Sequence, residues 1–203
     1  MADYQTMQSR IADELQRPDL TNQIAAAIQT AITQYQHERF WFSEARAVSA
    51  TVAGQANYDL PADLIEIDTV AATRNGVRYP LDMIYWHLAD DLLGLSLTDG
   101  APLWYAVQGN QLWLYPTPDA AYPLTVSYAA SIAAPVSGTD SNAWTNEAEA
   151  LIRQRAKVIV ALDVIRDAEA AQAYGALEQD ALARLRNRTD RLLMTGRIRP
   201  TPF

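Results

Sequence analysis

The chain has 203 residues, of which 49% are hydrophobic and 20% charged, a composition that suits a globular protein with a sizeable core. It contains no cysteine, which excludes disulfides and thiolate-bound zinc. The net charge of −8 is uneven: residues 184–203 hold six arginines and one aspartate, which leaves −13 on the preceding 183 residues. Because nucleic-acid binding depends on neutralising phosphates, the acidic body excludes a general nucleic-acid-binding surface.

The N-terminal residues, Met-Ala-Asp-Tyr-Gln, include neither a basic segment nor an apolar run. No stretch of the sequence approaches the roughly 18 consecutive apolar residues that a membrane span needs. These features predict a cytoplasmic protein without a membrane segment.

Two amphipathic helices are predicted at the start of the chain. The first carries apolar residues at helical spacing from Tyr4 to Leu15 and is broken at Arg17-Pro18-Asp19. The second carries a long stripe rich in alanine and isoleucine, made of Leu20, Ile24, Ala27, Ile28, Ala31, Ile32 and Tyr35. The aromatic cluster Arg39-Phe40-Trp41-Phe42 that follows is interpreted as a plug for a helical core rather than a ligand platform.

From Ala47 the apolar pattern changes to alternation with frequent turn residues, which predicts a β-rich region over residues 47–142. Asn75-Gly76 predicts a hairpin with a type I′ turn, because this dipeptide readily takes positive φ angles. A short helix is predicted over residues 83–95, with Ile84, Leu88 and Leu92 in register. Residues 133–142, rich in small and turn-forming residues, read as a linker back to the helices.

A second hairpin is predicted around Gly109-Asn110, with Leu112 and Leu114 on one face of its second strand and Trp113 and Tyr115 on the other. Trp113 and Tyr115 belong to a larger aromatic set that also includes Trp104, Tyr105, Tyr122 and Tyr128. Sheet packing is the favoured interpretation of this set, with a subunit interface second. The alternative function that it leaves open is a small-molecule or carbohydrate-binding module.

The longest helical pattern begins near Trp144, where Thr145 is the predicted N-cap. Arg153, Lys157 and Arg166 are predicted to lie away from its buried face. The helical spacing of apolar residues weakens at Asp167 and then resumes, which predicts either a second helix or a kinked continuation of the first. The predicted buried face consists of Leu151, Ile152, Val158, Ile159, Leu162 and Ile165.

These patterns predict an α+β fold in which N- and C-terminal helices form one bundle and a β-rich domain is inserted between them. The helical core takes residues 1–46 and 143–195, and residues 196–203 form an extended tail with a C-cap glycine and two prolines. Because the two helical segments are over a hundred residues apart, their packing together is the main test of this interpretation.

No pattern typical of an enzyme is present, and no catalytic residue, metal site or cofactor is predicted. His37 and His87 have no partner at metal-ligand spacing apart from Asp90 and Asp91 near His87. Those two aspartates are adjacent, so they point in different directions on a helix and cannot form a carboxylate dyad. Phosphate-binding loops, nucleophile elbows and zinc-protease motifs do not occur.

A basic set of residues near the C-terminus predicts either a solvated helix face or a docking surface. Arg184, Arg188 and Arg191 lie at four- and three-residue steps, and therefore on one side of a helix. Docking is favoured because apolar residues alternate with arginine and proline in a segment too short to fold alone. That segment consists of Thr195, Gly196, Arg197, Ile198, Arg199, Pro200, Thr201, Pro202 and Phe203.

Six short motifs are spread over most of the chain, and none of them is catalytic. In chain order they are Arg17-Pro18-Asp19-Leu20, Arg39-Phe40-Trp41-Phe42, Tyr58-Asp59-Leu60-Pro61-Ala62-Asp63-Leu64, Tyr79-Pro80-Leu81, Leu114-Tyr115-Pro116-Thr117-Pro118 and Gly196-Arg197-Ile198-Arg199-Pro200. In this order they resemble the adaptor, or head-to-tail connector, proteins of tailed bacteriophages.

The resemblance implies a structural virion protein that forms a homo-oligomeric ring, usually of twelve copies, under the portal of a DNA-filled capsid. The ring would carry tail, nozzle or neck proteins below it and let DNA pass through its lumen without specific binding. The helical part would form the ring, and residues 195–203 would extend to the portal protein and bind it. The implied location is the neck of the virion, reached from the host cytoplasm during assembly.

Overall fold

A computed structural model describes residues 3–93 and 98–193, with backbone only for residues 90–93. The chain divides into two compact units: a helical unit made of the segments before Glu44 and after Ser131, and a β unit over Glu44–Ser131. Helices at both ends of the chain and a central β-rich region confirm the predicted α+β class. Residues 195–203, the predicted tail, lie outside the described residues.

The helices and strands of the described residues have the following bounds. The helices are α1 (Tyr4–Leu15), α2 (Thr21–Tyr35), α3 (Trp86–Leu93), α4 (Ala143–Asn146), α5 (Glu149–Val160) and α6 (Ala168–Leu193), with a π-helical turn at Ala161–Ile165. The strands are β1 (Glu44–Ala50), β2 (Asn57–Asp59), β3 (Leu64–Arg74), β4 (Val77–Pro80), β5 (Asp82–Met83), β6 (Trp104–Gln108), β7 (Gln111–Tyr115) and β8 (Pro123–Ala130).

Helices from both ends of the chain share the core of the helical unit, as predicted. The buried stripe of α2, which includes Ile28, packs with Leu151 and Ile152 of α5 and with apolar residues of α1 and α6. Phe40 is fully buried beside Trp144, with ring centroids 6.2 Å apart, which confirms that it plugs this core. The sequence stripe thus identified the packing face of α2 correctly.

The N-cap of the first helix after the β unit, α4, lies three residues before the predicted N-cap, Thr145. Asn142 is the N-cap of α4, and its side chain accepts hydrogen bonds from the backbone of Trp144 and Thr145. The hydroxyl of Thr145 accepts from the Asn142 backbone N–H, so Thr145 completes a reciprocal capping box. Thr145 therefore contributes to the cap as the third helical residue.

The predicted buried face of α5 is correct up to Val158 and wrong at Leu162, which is 50% exposed. The π turn at Ala161–Ile165 adds a residue to the helical repeat and rotates the side chains that follow. Lys157, predicted to face away, is only 3% exposed. Arg166 then adopts a left-handed conformation with φ 62°, and so α6 is a separate helix rather than a continuation.

The segment predicted as a linker at residues 133–142 belongs to the helical unit. Its backbone carbonyls at Gly138 and Asp140 accept hydrogen bonds from the first residues of α1, both at 2.9 Å. The carbonyl of Pro135 accepts one from the Gln29 side chain at 2.6 Å. Because these bonds tie residues 135–140 to the helical unit, the β unit ends at Ser131 and covers Glu44–Ser131, whereas residues 47–142 were predicted from the sequence.

Two four-stranded sheets form the β unit, in the orders β1-β8-β3-β4 and β2-β7-β6-β5. All neighbouring strands are antiparallel except β5 and β6. Buried residues of both sheets, including Val126 and Leu114, share one core. The β3–β4 hairpin has positive φ angles at Asn75 and Gly76, which confirms the predicted turn.

The predicted helix over residues 83–95 begins three residues later than expected. Met83 lies in β5, opposite Tyr105 of β6, so α3 starts at Trp86. Ala89 is buried, whereas Leu88 is exposed and does not form the packing face that the sequence predicted. α3 contacts β6, and the buried position of Ala89 was not evident from hydrophobic periodicity.

Candidate interaction surfaces

A groove of about 310 Å³ lies between α6 and residues 147–154, at the start of α5. Two of the three predicted interface arginines, Arg184 and Arg188, line it. The third, Arg191, lies one turn further along α6 and donates from Nε to the Asn187 carbonyl oxygen at 3.2 Å. The spacing of these arginines therefore indicated the right helix, but only two of them reach the groove.

The two groove arginines are held differently. Arg188 donates to Glu147 at 2.8 Å, and its guanidinium lies 4.1 Å from the ring centroid of Trp41. An arginine that is both paired and stacked on an aromatic ring is well ordered. Arg184 pairs with Asp180 one turn earlier at 2.7 Å and has 78% of its side chain exposed. Of the two, Arg184 is therefore the more accessible to a partner.

The groove itself is mainly apolar. Ala148 and Leu151 contribute buried side chains, while Leu177 of α6 is 50% exposed at its margin. Gln154 also lines the groove, and its Oε1 atom is buried without a hydrogen-bond partner in the described part of the chain. Since buried acceptors are normally satisfied, this atom marks the groove as a place where a donor would be stabilising.

A buried ion pair that the sequence did not predict joins α1 to α5. Lys157 Nζ lies 2.6 Å from Glu14 Oε2 and 4.4 Å from the centroid of the Tyr174 ring. Arg153 pairs with the same carboxylate. Burial raises the pKa of Glu14, but the hydrogen bond from Lys157 and the charges of Lys157 and Arg153 outweigh it, so the net pKa is lowered. This cluster fixes the register of the two helices.

A second polar cluster joins α2 to α6. The Tyr35 hydroxyl donates to Glu178, a buried carboxylate that Arg155 of α5 approaches at 3.6 Å. Burial, followed by the neighbouring carboxylate, raises the pKa of Tyr35 far above its ordinary value. Tyr35 therefore stays protonated, as a donor to Glu178 must. Both polar clusters have structural roles, because each one ties helices from the two ends of the chain together.

The other predicted interface residues, Trp113 and Tyr115, lie in the β unit and so on a different unit from the arginines. They occupy the same face of β7, where their cross-strand neighbours are Ala106 and Trp104. Both side chains are half-buried, and the Trp113 indole nitrogen is buried. Because neither side chain is exposed, this face of β7 fits packing within the unit better than an open platform for a sugar ring.

Residues 3–93 and 98–193 contain no cluster of three or more histidine, aspartate or glutamate side chains able to hold a metal ion. His87 is exposed and lies against Trp86, with ring centroids 3.6 Å apart. Among the described helices, none combines the length and apolar character needed to cross a bilayer.

The described residues define an α+β protein whose helical unit carries an apolar groove rimmed by paired arginines. Comparison with protein families gives the specific class. The chain belongs to the SU10 adaptor protein family, a family of phage head-to-tail adaptors whose model matches residues 2–201. No curated protein matches the chain in a direct sequence comparison.

Proposed function

We propose that this protein forms a ring of twelve copies in the neck of a tailed phage, between the portal protein and the tail, nozzle or neck proteins. The observation that carries this proposal is the family match, which spans both the helical unit and the β unit. An adaptor of this kind assembles in the host cytoplasm and has a structural rather than an enzymatic role.

The C-terminal segment is the proposed portal-docking element. Residues 195–203 combine Arg197 and Arg199 with the apolar residues Ile198 and Phe203 and two prolines. The arginines pair with acidic groups or backbone carbonyls of the portal, and the apolar side chains fill pockets there. The prolines limit the backbone conformations open to this sequence, which reduces the entropy cost of binding in one conformation.

The charge distribution supports the passage of DNA without binding. Residues 44–131, which form the β unit, include ten carboxylates and three arginines. In the helical unit, Arg153, Arg155, Arg186 and Arg188 are each paired with a carboxylate. Paired arginines are poorly available to phosphates, so a ring of such subunits repels duplex DNA rather than retaining it.

A pull-down with the portal protein of the same virus tests the docking element. Truncation after Met194 is expected to leave a folded subunit that no longer joins the portal. The double change Arg197→Ala/Arg199→Ala is expected to weaken attachment and its salt dependence, because fewer ion pairs remain to be screened. Arg74→Ala/Arg78→Ala, which removes the same charge from exposed positions of the β unit, is the matched control.

Two readouts can contradict the proposal. If the truncated protein captures the portal as well as the full chain does, the docking role of residues 195–203 is wrong. If native mass spectrometry with the portal detects no ring-sized assembly, the ring is wrong. Retardation of duplex DNA by the free protein, lost in the double arginine variant, would show that the basic segment binds DNA instead.

A further inference from the structure

The β unit has one long free sheet edge. β1 is an edge strand of seven residues, and it pairs with β8 on one side only. The other edge strands of the two described sheets are shorter, with four residues in β4, three in β2 and two in β5. β1 contains neither proline nor lysine, the residues that most often protect an edge from pairing, whereas β4 contains Pro80. β1 is therefore the edge best able to accept a further strand.

The hydrogen bond that continues the β1–β8 pairing shows which backbone groups of β1 are free. The Thr51 N–H donates to the Tyr122 carbonyl at 2.9 Å, in the same register as the rest of β1 and β8. In an antiparallel pair every second residue faces the partner strand, so Thr51 and every second residue before it face β8. The N–H and C=O groups of Arg46, Val48 and Ala50 therefore point away from β8, along the open edge. In the described part of the chain, these three residues have no backbone hydrogen-bond partner on that side.

The side chains of β1 are those of a strand with one neighbour missing. Arg46, Val48 and Ala50 are exposed, and Val48 is 70% exposed. On the other face of the strand, Ala45 and Ala47 pack against the core of the β unit but are only half-buried. Two alanines cover little of the margin of a core, so bulkier apolar side chains on an added strand would bury more of it.

The charge of the β unit determines which kind of strand fits this edge. Residues 44–131 include ten carboxylates and three arginines, a net charge of −7. A second copy of the chain would bring the same negative charge to the contact, and like charges on two surfaces disfavour their association. Residues 195–203 are basic, but their two prolines lack N–H groups, and under the proposed function they bind the portal. These observations favour a positively charged segment of a different protein.

We propose that β1 binds an extended, positively charged segment of a neck or tail protein, which adds a fifth strand to the four-stranded sheet. Arg46, Val48 and Ala50 form about six backbone hydrogen bonds with this segment, since each residue has one donor and one acceptor. Apolar residues at alternate positions of the segment pack beside Ala45 and Ala47, and its basic residues stay at the acidic surface. The inference rests on the proposed function and assigns to β1 the contact with the proteins below the portal.

Hydrogen exchange tests the edge in the isolated protein. The amides of Val48 and Ala50 are expected to exchange fast, whereas those of Ala47 and Ser49, which face β8, exchange slowly. The probe is a short synthetic peptide in which valine and lysine alternate. When about nine-tenths of the protein is bound, exchange at Val48 and Ala50 should slow about tenfold, because only the unbound fraction exchanges. A peptide in which valine and glutamate alternate is the control and should give no protection. Protection by neither peptide, or equal protection by both, overturns the proposal.

A proline substitution removes one donor from the edge without breaking a bond to β8. Val48→Pro does so because the Val48 N–H points outward, and circular dichroism checks that the fold is kept. Val48→Thr, which retains the N–H and a β-branched side chain, is the matched control. Arg78→Pro is a second control, at the opposite edge of the sheet. The Leu81 N–H donates to the Val70 carbonyl at 2.8 Å, so Arg78, three residues earlier, faces away from β3.

The assembly assay first loads each variant on the portal protein and then adds the purified neck and tail proteins of the same virus one at a time. Val48→Pro is expected to join the portal as the parent does, but to retain its neck or tail partner about tenfold less, because a carbonyl of the partner loses its donor. Val48→Thr and Arg78→Pro should retain the partner as the parent does.

The outcomes separate this inference from the proposed function. If Val48→Pro joins the portal and retains every neck and tail protein as well as the parent does, the contact through β1 is wrong and the adaptor role stands. Slow exchange at Val48 in the isolated protein that becomes fast after truncation at Met194 would make the chain's own C-terminal segment the occupant and also overturns the proposal. Failure of the parent protein to join the portal overturns the proposed function, and with it the identity of the partner.

Discussion

The buried pair between Lys157 and Glu14 gives the most quantitative prediction. Glu14→Gln removes the carboxylate charge and leaves the ammonium of Lys157, only 3% exposed, without the anionic partner that lies 2.6 Å away. Breaking a fully buried pair from one side costs about 3–5 kcal/mol. Because 34% of the Glu14 side chain is exposed, solvent offsets part of that cost. We therefore expect a loss of about 2–3 kcal/mol in the free energy of unfolding of the helical unit.

Thermal and urea unfolding followed by circular dichroism measure this loss. For a chain of this size, a loss of about 2–3 kcal/mol corresponds to a fall in Tm of roughly 4–12 °C. The double variant Glu14→Gln/Lys157→Met should recover most of the loss, since apolar replacement of a buried pair is often neutral or stabilising. Asp19→Asn, which breaks the exposed Arg17–Asp19 pair, is the control and should leave Tm nearly unchanged.

The same pair predicts a pH dependence. The pKa of Glu14 is lowered in the folded protein, so the unfolded chain binds this proton more readily. The stabilisation is therefore fully present above the pKa of an unfolded glutamate, about 4.3, and is lost as the pH falls through the lower folded value. Glu14→Gln should unfold with a shallower dependence on pH across this window. If Glu14→Gln has the parent Tm and the parent pH profile, the assignment of the pair as a stabilising contact is wrong.

Two further substitutions test the core and the helix cap. Ile28 is fully buried where helices from the two ends of the chain pack together, so Ile28→Ala should lower the free energy of unfolding by about 2–5 kcal/mol in urea titrations. Leu162→Ala should lower it far less, because Leu162 is half-exposed. Equal losses would contradict the exposed position of Leu162. Asn142→Ala removes the Asn142 side chain from the capping box and should lower the free energy of unfolding by about 0.5–2 kcal/mol. Asn142→Asp is the control, because aspartate can also cap the helix. An equal loss in both variants would mean that the effect comes from another contact of Asn142.

The features predicted correctly from the sequence are those whose signal is local. The apolar stripe around Ile28 repeats within one helix, and Asn75-Gly76 specifies its turn through the backbone preferences of two adjacent residues. Arg184 and Arg188 were placed on one side of a helix by spacing alone. The groove they line could not be predicted in this way, because its other wall comes from residues 147–154, at the start of α5 and about thirty residues earlier.

The predictions that were wrong or missing depend on partners distant in sequence or on small irregularities. Lys157 looks like a surface residue until Glu14, 143 residues away in the chain, is placed beside it. Leu162 fits the helical period and is exposed only because the π turn shifts that period by one residue. The strand at Met83 is two residues long, too short to produce any alternation, and exists because β6 is available for pairing.

The insertion of the β unit between the two halves of the helical core has a consequence for the growing chain on the ribosome. The stripe of α2 is complete by Tyr35, but its partner α5 begins only at Glu149. At roughly 5–20 residues per second, that gap corresponds to a wait on the order of ten seconds. During this interval the β unit, which is continuous in sequence, emerges whole, whereas the apolar face of α2 has yet to meet α5. The apolar face of α2 therefore lacks this partner until α5 has been made, and transiently exposed apolar surface of this kind is prone to aggregation.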